Sequence, residues 1–162
     1  MMATTTITAE PGVPYIDITR EFDAPRDLLF RAFTEPELIS QWLGPRKYTI
    51  DIDRYEVRDG GVWRFLHRGE DGAAYGFHGV FHGTPTPDGI LRTFEYEGAP
   101  GHVALESVVF EERDGRTIVK EHSVYQSVFD RDAMVEGGME GGVLEGFARL
   151  DELISRLAAP VA

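Results

Sequence analysis

The stretch GVLEGFARLDELISRL, residues 142 to 157, decides how we interpret the rest of this chain. Its apolar residues recur at spacings of three and four, which is the period of a helix with one apolar face. These residues are Phe147, Leu150, Leu153, Ile154 and Leu157. The preceding chain consists mostly of short alternating segments punctuated by glycine, a pattern typical of an antiparallel sheet. We therefore predict that residues 130 to 157 contain a long helix that lies on a sheet.

The N-terminal half of this segment is rich in glycine, which is unusual for a helix. The five glycines within ten residues are Gly137, Gly138, Gly141, Gly142 and Gly146, and each costs about 0.8 to 1 kcal/mol relative to alanine in a helix interior. In a continuous helix, Gly138, Gly142 and Gly146 would form a strip without side chains. Such a strip allows either close backbone contact or an unfilled space, and a space predicts a ligand cavity. In the alternative interpretation, residues 135 to 142 are partly a loop and the helix begins near Val143.

Composition limits the classes of protein to consider. A chain of 162 residues with 42% hydrophobic content can form one core. Its formal charge of -12 repels phosphate backbones and anionic lipid headgroups, so we expect neither nucleic acid nor a membrane as a partner. The chain has no cysteine, and its first residues lack the basic and apolar run of a secretory signal. We expect a cytoplasmic protein.

Taken in order, the chain predicts an α+β fold. Residues 1 to 14 lack periodicity and predict a disordered tail, with a single domain over residues 15 to 160. Tyr15–Phe22 alternates as a first strand, and two short helices follow before Gly44 and Pro45. Period-two segments separated by turns then predict six strands between residues 47 and 129, the last over residues 116 to 129. The long C-terminal helix completes a domain with about seven strands.

At this point the sequence resembles a known family. The motifs are REFDAPRDLLFRAFTEPELISQWLGP (20–45), DGGVWRF (59–65), YGFHGVF (75–81), GMEGG (138–142) and ARLDELI (148–154). They resemble the activator of the 90-kDa heat-shock-protein ATPase homologue family, in the START-like or SRPBCC superfamily, over residues 15 to 157. The resemblance implies the helix-grip fold, in which a curved antiparallel sheet wraps around a long C-terminal helix and leaves a cavity between them.

Two positions within these motifs have consequences for packing. Trp42 carries part of the resemblance, and its type predicts a core residue. Val143 departs from the family pattern, in which an aromatic residue, often tryptophan, commonly follows the glycine at position 142. The smaller side chain would either enlarge the mouth of the cavity or pack against a larger neighbour.

Candidate ligand-binding residues come from three groups. Aromatic residues numerous enough to line a cavity, and also suited to fill a core, include Trp63, Phe65, Phe77, Phe81 and Phe94. Glu121, Ser123 and Tyr125 share one face of the last predicted strand. In this fold such a face points into the cavity, where polar groups would orient a ligand or Glu121 would act as a base; alternatively the protein itself satisfies them. Gly138, Gly142 and Gly146 complete the set, and no residue is assigned a catalytic role.

The motifs of metal and nucleotide sites are not found in the sequence. His78 and His82 lie on one face of a strand, but the strand rise places them about 13 Å apart, too far to share a metal ion unless a bulge intervenes. We find no phosphate loop, no G-x-S-x-G elbow and no H-E-x-x-H helix. We therefore predict neither a metal nor a cofactor.

Three functions remain open. The first is binding of a small hydrophobic molecule in the cavity, which fits the sequence best. The second, implied by the resemblance, is regulation of a heat-shock ATPase in a stress response, with a chaperone or a second copy of this chain as the protein partner. The third is an enzyme of the cyclase, aromatase or hydrolase type, because the same fold supports such chemistry elsewhere.

Overall fold

The computed structural model describes residues 4 to 158 as eight strands and four helices. The strands are β1 (Thr6–Thr8), β2 (Tyr15–Phe22), β3 (Tyr48–Tyr55), β4 (Val62–Gly69), β5 (Ala74–Val80), β6 (Gly89–Tyr96), β7 (Val103–Arg113) and β8 (Arg116–Val124). The helices are α1 (Arg26–Thr34), α2 (Pro36–Ile39), α3 (Val128–Glu136) and α4 (Met139–Ala158).

All eight strands form one antiparallel sheet in the order β1-β2-β8-β7-β6-β5-β4-β3. Strands β3 to β8 are a meander of hairpins, and β2 crosses to pair with β8 along its whole length. Helices α1 and α2 fill the connection from β2 to β3, and α4 packs against the face of the sheet that carries the core. The predicted α+β helix-grip fold is therefore confirmed, with eight strands rather than seven.

The apolar face of α4 is buried as its spacing predicts, except at its end. Phe147, Leu150, Leu153 and Ile154 belong to the core, where Phe147 meets the edge of Phe22 with ring centroids 5.4 Å apart. Leu157, in the last turn of the helix, is 38% exposed.

Trp42 is a core residue, as the sequence predicts. It is 5% exposed, and its indole Nε1 donates a hydrogen bond of 2.9 Å to the carbonyl of Ala32. Its ring lies 4.8 Å from that of Phe33 and 6.3 Å from that of Phe147. Trp42 therefore links the segment after α2 to both α1 and α4.

Three predicted boundaries are wrong. Residues 1 to 14 were predicted to be a tail, but Thr6–Thr8 pairs with β2 and adds an eighth strand; residues 1 to 3 lie outside the described residues. The last strand ends at Val124 instead of residue 129, because Ser127 caps α3 by accepting a hydrogen bond from the backbone N–H of Asp130. The C-terminal segment is two helices instead of one, because Gly138 has a φ of +86°, a left-handed conformation that ends α3.

Candidate functional site

A cavity of about 760 Å³ lies between the sheet and helices α3 and α4. Its wall is formed by strands β2 to β8, and helix α4 covers it with Gly142, Val143, Gly146 and Phe147. The volume lies within the range of about 300 to 1,000 Å³ that small-molecule sites occupy. Most of the lining side chains are apolar or aromatic.

Ten of the eleven candidate residues line this cavity. They are Trp63, Phe65, Phe77, Phe94, Glu121, Ser123, Tyr125, Gly138, Gly142 and Gly146. Phe81 does not line the cavity, so the prediction that it is a ligand-binding residue is wrong. It follows the end of β5, its backbone N–H donates to the carbonyl of Gly61, and its fully buried ring packs 5.5 Å from that of Tyr55. Phe81 therefore belongs to the solid part of the core.

The three glycines that the sequence groups together have three different surroundings. Gly138 is the left-handed residue between α3 and α4, and a Cβ atom there would meet open space. At Gly142 a Cβ atom would lie 3.4 Å from the Pro45 side chain, an ordinary contact. At Gly146 it would lie 3.2 Å from the backbone nitrogen of Gly44 and 3.3 Å from the carbonyl oxygen of Trp42. Of the three, only Gly146 permits close backbone contact, whereas a side chain at Gly142 would begin in ordinary contact with Pro45.

An ion pair lies inside the cavity that sequence reasoning missed. Arg92 on β6 and Glu106 on β7 both line it, and the Arg92 Nε donates to Glu106 Oε1 at 3.3 Å. The guanidinium also lies 4.3 Å from the ring centroid of Trp63, a cation–π contact. A signal for both residues existed in the sequence, because each alternates with apolar neighbours that face inward: Ile90 and Phe94, Ala104 and Val108.

Glu121 faces the same region from β8. Its register partners are Ile18 on β2 and Val108 on β7, both buried apolar residues. Burial, and secondarily the negative charge of Glu106, raises the pKa of Glu121 to about 7, although Arg92 opposes the shift. The part of its side chain that remains accessible opens on the cavity. Glu121 is therefore a carboxyl that gains or loses a proton near neutral pH.

Burial disfavours the charged forms of two further polar side chains in the cavity. Burial raises the pKa of the Tyr125 phenol and lowers the pKa of His67 to about 4, so both are neutral at pH 7. The His67 ring lies on β4 and packs 4.7 Å from Phe77. His67 is a third polar lining residue that sequence reasoning missed, after Arg92 and Glu106, although it shares a strand face with Trp63 and Phe65.

The entrance lies beside α3 and the turn that follows it. Phe129 lines the cavity and is nevertheless 78% exposed, so its ring stands at the boundary with solvent. Met134, Met139 and Val143 are half-buried neighbours along the same side. Val143 therefore lines the cavity on this side, where a larger side chain would narrow it.

The histidine pair of the sequence analysis does not lie in the cavity. The Nδ1 and Nε2 atoms of His78 lie 2.9 Å from Glu97 Oε2 and 3.3 Å from Glu95 Oε1, while His82 is exposed beyond the end of β5. Within residues 4 to 158, no group of three or more His, Cys, Asp or Glu side chains is placed to hold a metal ion. No helix in this part of the chain is both long enough and apolar enough to cross a membrane.

Comparison with solved structures identifies relatives of the same fold. A protein from Rhodobacter sphaeroides is 24% identical and superposes with a TM-score of 0.84, covering 93% of this chain and 99% of that chain. A protein from Arthrobacter aurescens is also 24% identical, with a TM-score of 0.85 and coverage of 94% and 92%. DynU16, a protein of the dynemicin biosynthetic locus, is 14% identical, with a TM-score of 0.65 and coverage of 88% and 47%.

The similarity to these solved structures shows a shared fold. A family model also matches the amino-acid sequence itself. Comparison with curated proteins gives no match. The model described as "Activator of Hsp90 ATPase homolog 1-like protein" matches residues 23–155, which include helices α1, α2 and α3, strands β3 to β8 and nearly all of α4. The chain therefore belongs to the family of activator of Hsp90 ATPase homolog 1-like proteins.

Proposed function

We propose that this protein binds a small, largely apolar molecule in the cavity between the sheet and α4. The observation that carries the proposal is a cavity of about 760 Å³ with aromatic walls, in which a few polar groups converge: the Arg92–Glu106 pair and Glu121. An apolar pocket with a small number of placed polar groups is the usual form of a small-molecule site. The fold-level likeness to DynU16, from a biosynthetic locus, agrees with a small-molecule ligand.

An uncharged environment-sensitive dye tests this proposal. N-phenyl-1-naphthylamine should show saturable fluorescence enhancement with one site per chain. Native mass spectrometry of freshly purified protein would independently reveal a co-purifying apolar molecule. If neither the dye nor any co-purified molecule is bound, the proposal is wrong.

A matched pair of variants locates the site. Val143 lines the cavity, whereas its neighbour Leu144 is exposed and does not line it. Val143→Trp should reduce dye uptake, and Leu144→Trp, the same change one residue along the helix, should not. Equal effects of the two substitutions would mean that the dye binds elsewhere on the protein.

A second candidate function is acid–base catalysis on the bound molecule, and the protonation of Glu121 near neutral pH favours it. As a base, the Glu121 carboxylate would take a proton from a carbon next to a ketone, and the electron pair of that C–H bond would move toward the carbonyl oxygen as an enolate forms. Deuterium exchange into 2-tetralone, followed by NMR, should then be accelerated by the protein and not by its Glu121→Gln variant. Docking on a heat-shock ATPase stays a prediction, because no observation on residues 4 to 158 favours it.

A further inference from the structure

We propose that the cavity selects uncharged ligands that form a hydrogen bond with Glu121, and that it rejects carboxylates, sulfonates and other anions. This inference rests on the proposed binding function and specifies its ligand class. Three features of the cavity support it: the state of its single guanidinium, the lack of a protein partner for Glu121, and the arrangement of its aromatic rings.

The described lining of the cavity has no excess of positive charge with which to attract an anionic ligand. Among the described residues that line it, Arg92 is the one arginine and there is no lysine. The Arg92 guanidinium already binds Glu106 and stacks on Trp63. Glu106 balances the charge of this guanidinium, and Glu121 is a second carboxyl in the lining, so an entering anion meets no excess of positive charge. Two histidines also line the cavity: the imidazole of His67 is neutral at pH 7, and the Nδ1 of His102 lies 2.9 Å from Asp130 Oδ1, which also lines the cavity.

The cavity does present a carboxyl that lacks a partner. Among residues 4 to 158, the carboxyl of Glu121 makes no hydrogen bond to another group of the protein, and its burial raises its pKa to about 7. A polar group in apolar surroundings is costly unless it is hydrogen-bonded. A ligand hydroxyl satisfies this carboxyl in either protonation state, because it can both donate and accept. A ligand carboxylate would instead be repelled by Glu106.

The aromatic walls favour a flat ring system. The ring of Phe77 lies 5.5 Å from that of Phe94 and 5.2 Å from that of Tyr96, with interplanar angles of 31° and 32°. The ring of Trp63 lies at a similar angle, 31°, to that of Phe94. Such a surface accommodates a fused aromatic ring by offset stacking. Naphthalene derivatives are therefore suitable probes of the charge preference.

Two dyes that differ by one group give the first test. N-phenyl-1-naphthylamine is uncharged, and its 8-sulfonate is the same molecule with an anionic substituent. We expect the uncharged dye to bind at least about tenfold more tightly at pH 7.5, since an unpaired charge in a cavity of this kind is strongly disfavoured. Equal or tighter binding of the sulfonate would overturn the proposal.

A smaller series removes the difference in size. 2-Methylnaphthalene, 2-naphthylmethanol, 2-naphthylmethylamine and 2-naphthoate share one ring system, and each can be measured by displacement of the uncharged dye. The alcohol should bind about fivefold more tightly than the hydrocarbon, the gain of one neutral hydrogen bond, and the naphthoate should bind most weakly. Tightest binding by the amine, which is protonated at pH 7.5, or by the naphthoate would refute the preference for uncharged ligands.

Variants of Glu121 then test its role. Glu121→Leu should abolish the tighter binding of the alcohol relative to the hydrocarbon. Glu121→Gln should keep that difference in affinity, and it should reduce the difference in affinity between the alcohol and the naphthoate. Glu70→Gln, at an exposed carboxyl in the turn after β4, is the matched control. If the uncharged dye binds and all four probes bind with equal affinity, only this inference fails. If neither binds, the proposed function itself fails.

Discussion

Replacing Glu121 by glutamine should make the protein more stable in mildly alkaline solution and change little in acid. The fold raises the pKa of Glu121 from 4.5 to about 7, so it disfavours the ionised form. Its protonated carboxyl therefore contributes stability that is fully present below about pH 4.5 and is lost as the pH rises through about 7. At about 1.36 kcal/mol per pKa unit, the stability lost between these limits is about 3 kcal/mol.

The measurement is urea unfolding of wild type and Glu121→Gln at pH 5 and pH 8. Glutamine is nearly isosteric and never ionises, so the variant should gain about 2 to 3 kcal/mol relative to wild type between the two values. Other titrating groups cancel, because they are common to both proteins. Glu70→Gln should show no such gain, since that side chain is exposed. A difference between wild type and Glu121→Gln that is the same at pH 5 and pH 8 would refute the account of Glu121 as a carboxyl shifted by burial.

Three further predictions concern the packing around the cavity. Gly142→Ala should raise the free energy of unfolding by about 0.8 kcal/mol through helix propensity, whereas Gly146→Ala should lower it by about 1 to 3 kcal/mol through overpacking against backbone. Chemical denaturation of the two variants measures both changes. Equal changes in the free energy of unfolding would contradict the different surroundings of the two glycines. Trp42→Ala should cost about 3 to 5 kcal/mol, and an unchanged unfolding midpoint would argue against its core role. The fold lowers the pKa of His67 to about 4, so the neutral imidazole contributes stability that is present above about pH 6.5 and is lost as the pH falls through about 4. His67→Phe should therefore lose less stability than wild type as the pH falls between these values. Urea titrations at the two pH values measure the difference.

Most of the secondary structure followed from the sequence by itself, because the pattern that forms each element is local; the pairing of β1 with β2 and the break between α3 and α4 did not. The spacing of Phe147, Leu150, Leu153 and Ile154 predicts α4, and it does so from residues within three turns of one another. Alternation in Trp63, Phe65 and Phe77 predicts the strands whose inner face they share. The turns between strands are short, which leaves antiparallel neighbours as the simplest topology.

Most of the candidate cavity lining was also predictable, since the face of a strand follows from alternation once the fold is known. The same rule would have included Arg92 and Glu106. A charged residue on an inward face is rare, so composition argued against them, and only the pairing of β6 with β7 brings the two side chains together. Their mutual contact offsets part of the cost of holding two half-buried charges inside the cavity.

The roles of the glycines were decided by tertiary structure alone. Gly138, Gly142 and Gly146 are equivalent as a repeat of four in the sequence, but one ends a helix, one contacts a proline and one allows backbone contact. Likewise Phe81 and Phe77 are equivalent by type, yet one fills the core and the other lines the cavity. Whether a residue faces a space or a neighbour depends on elements distant in the chain, so the shape of the cavity follows only from the packing of α4 on the whole sheet.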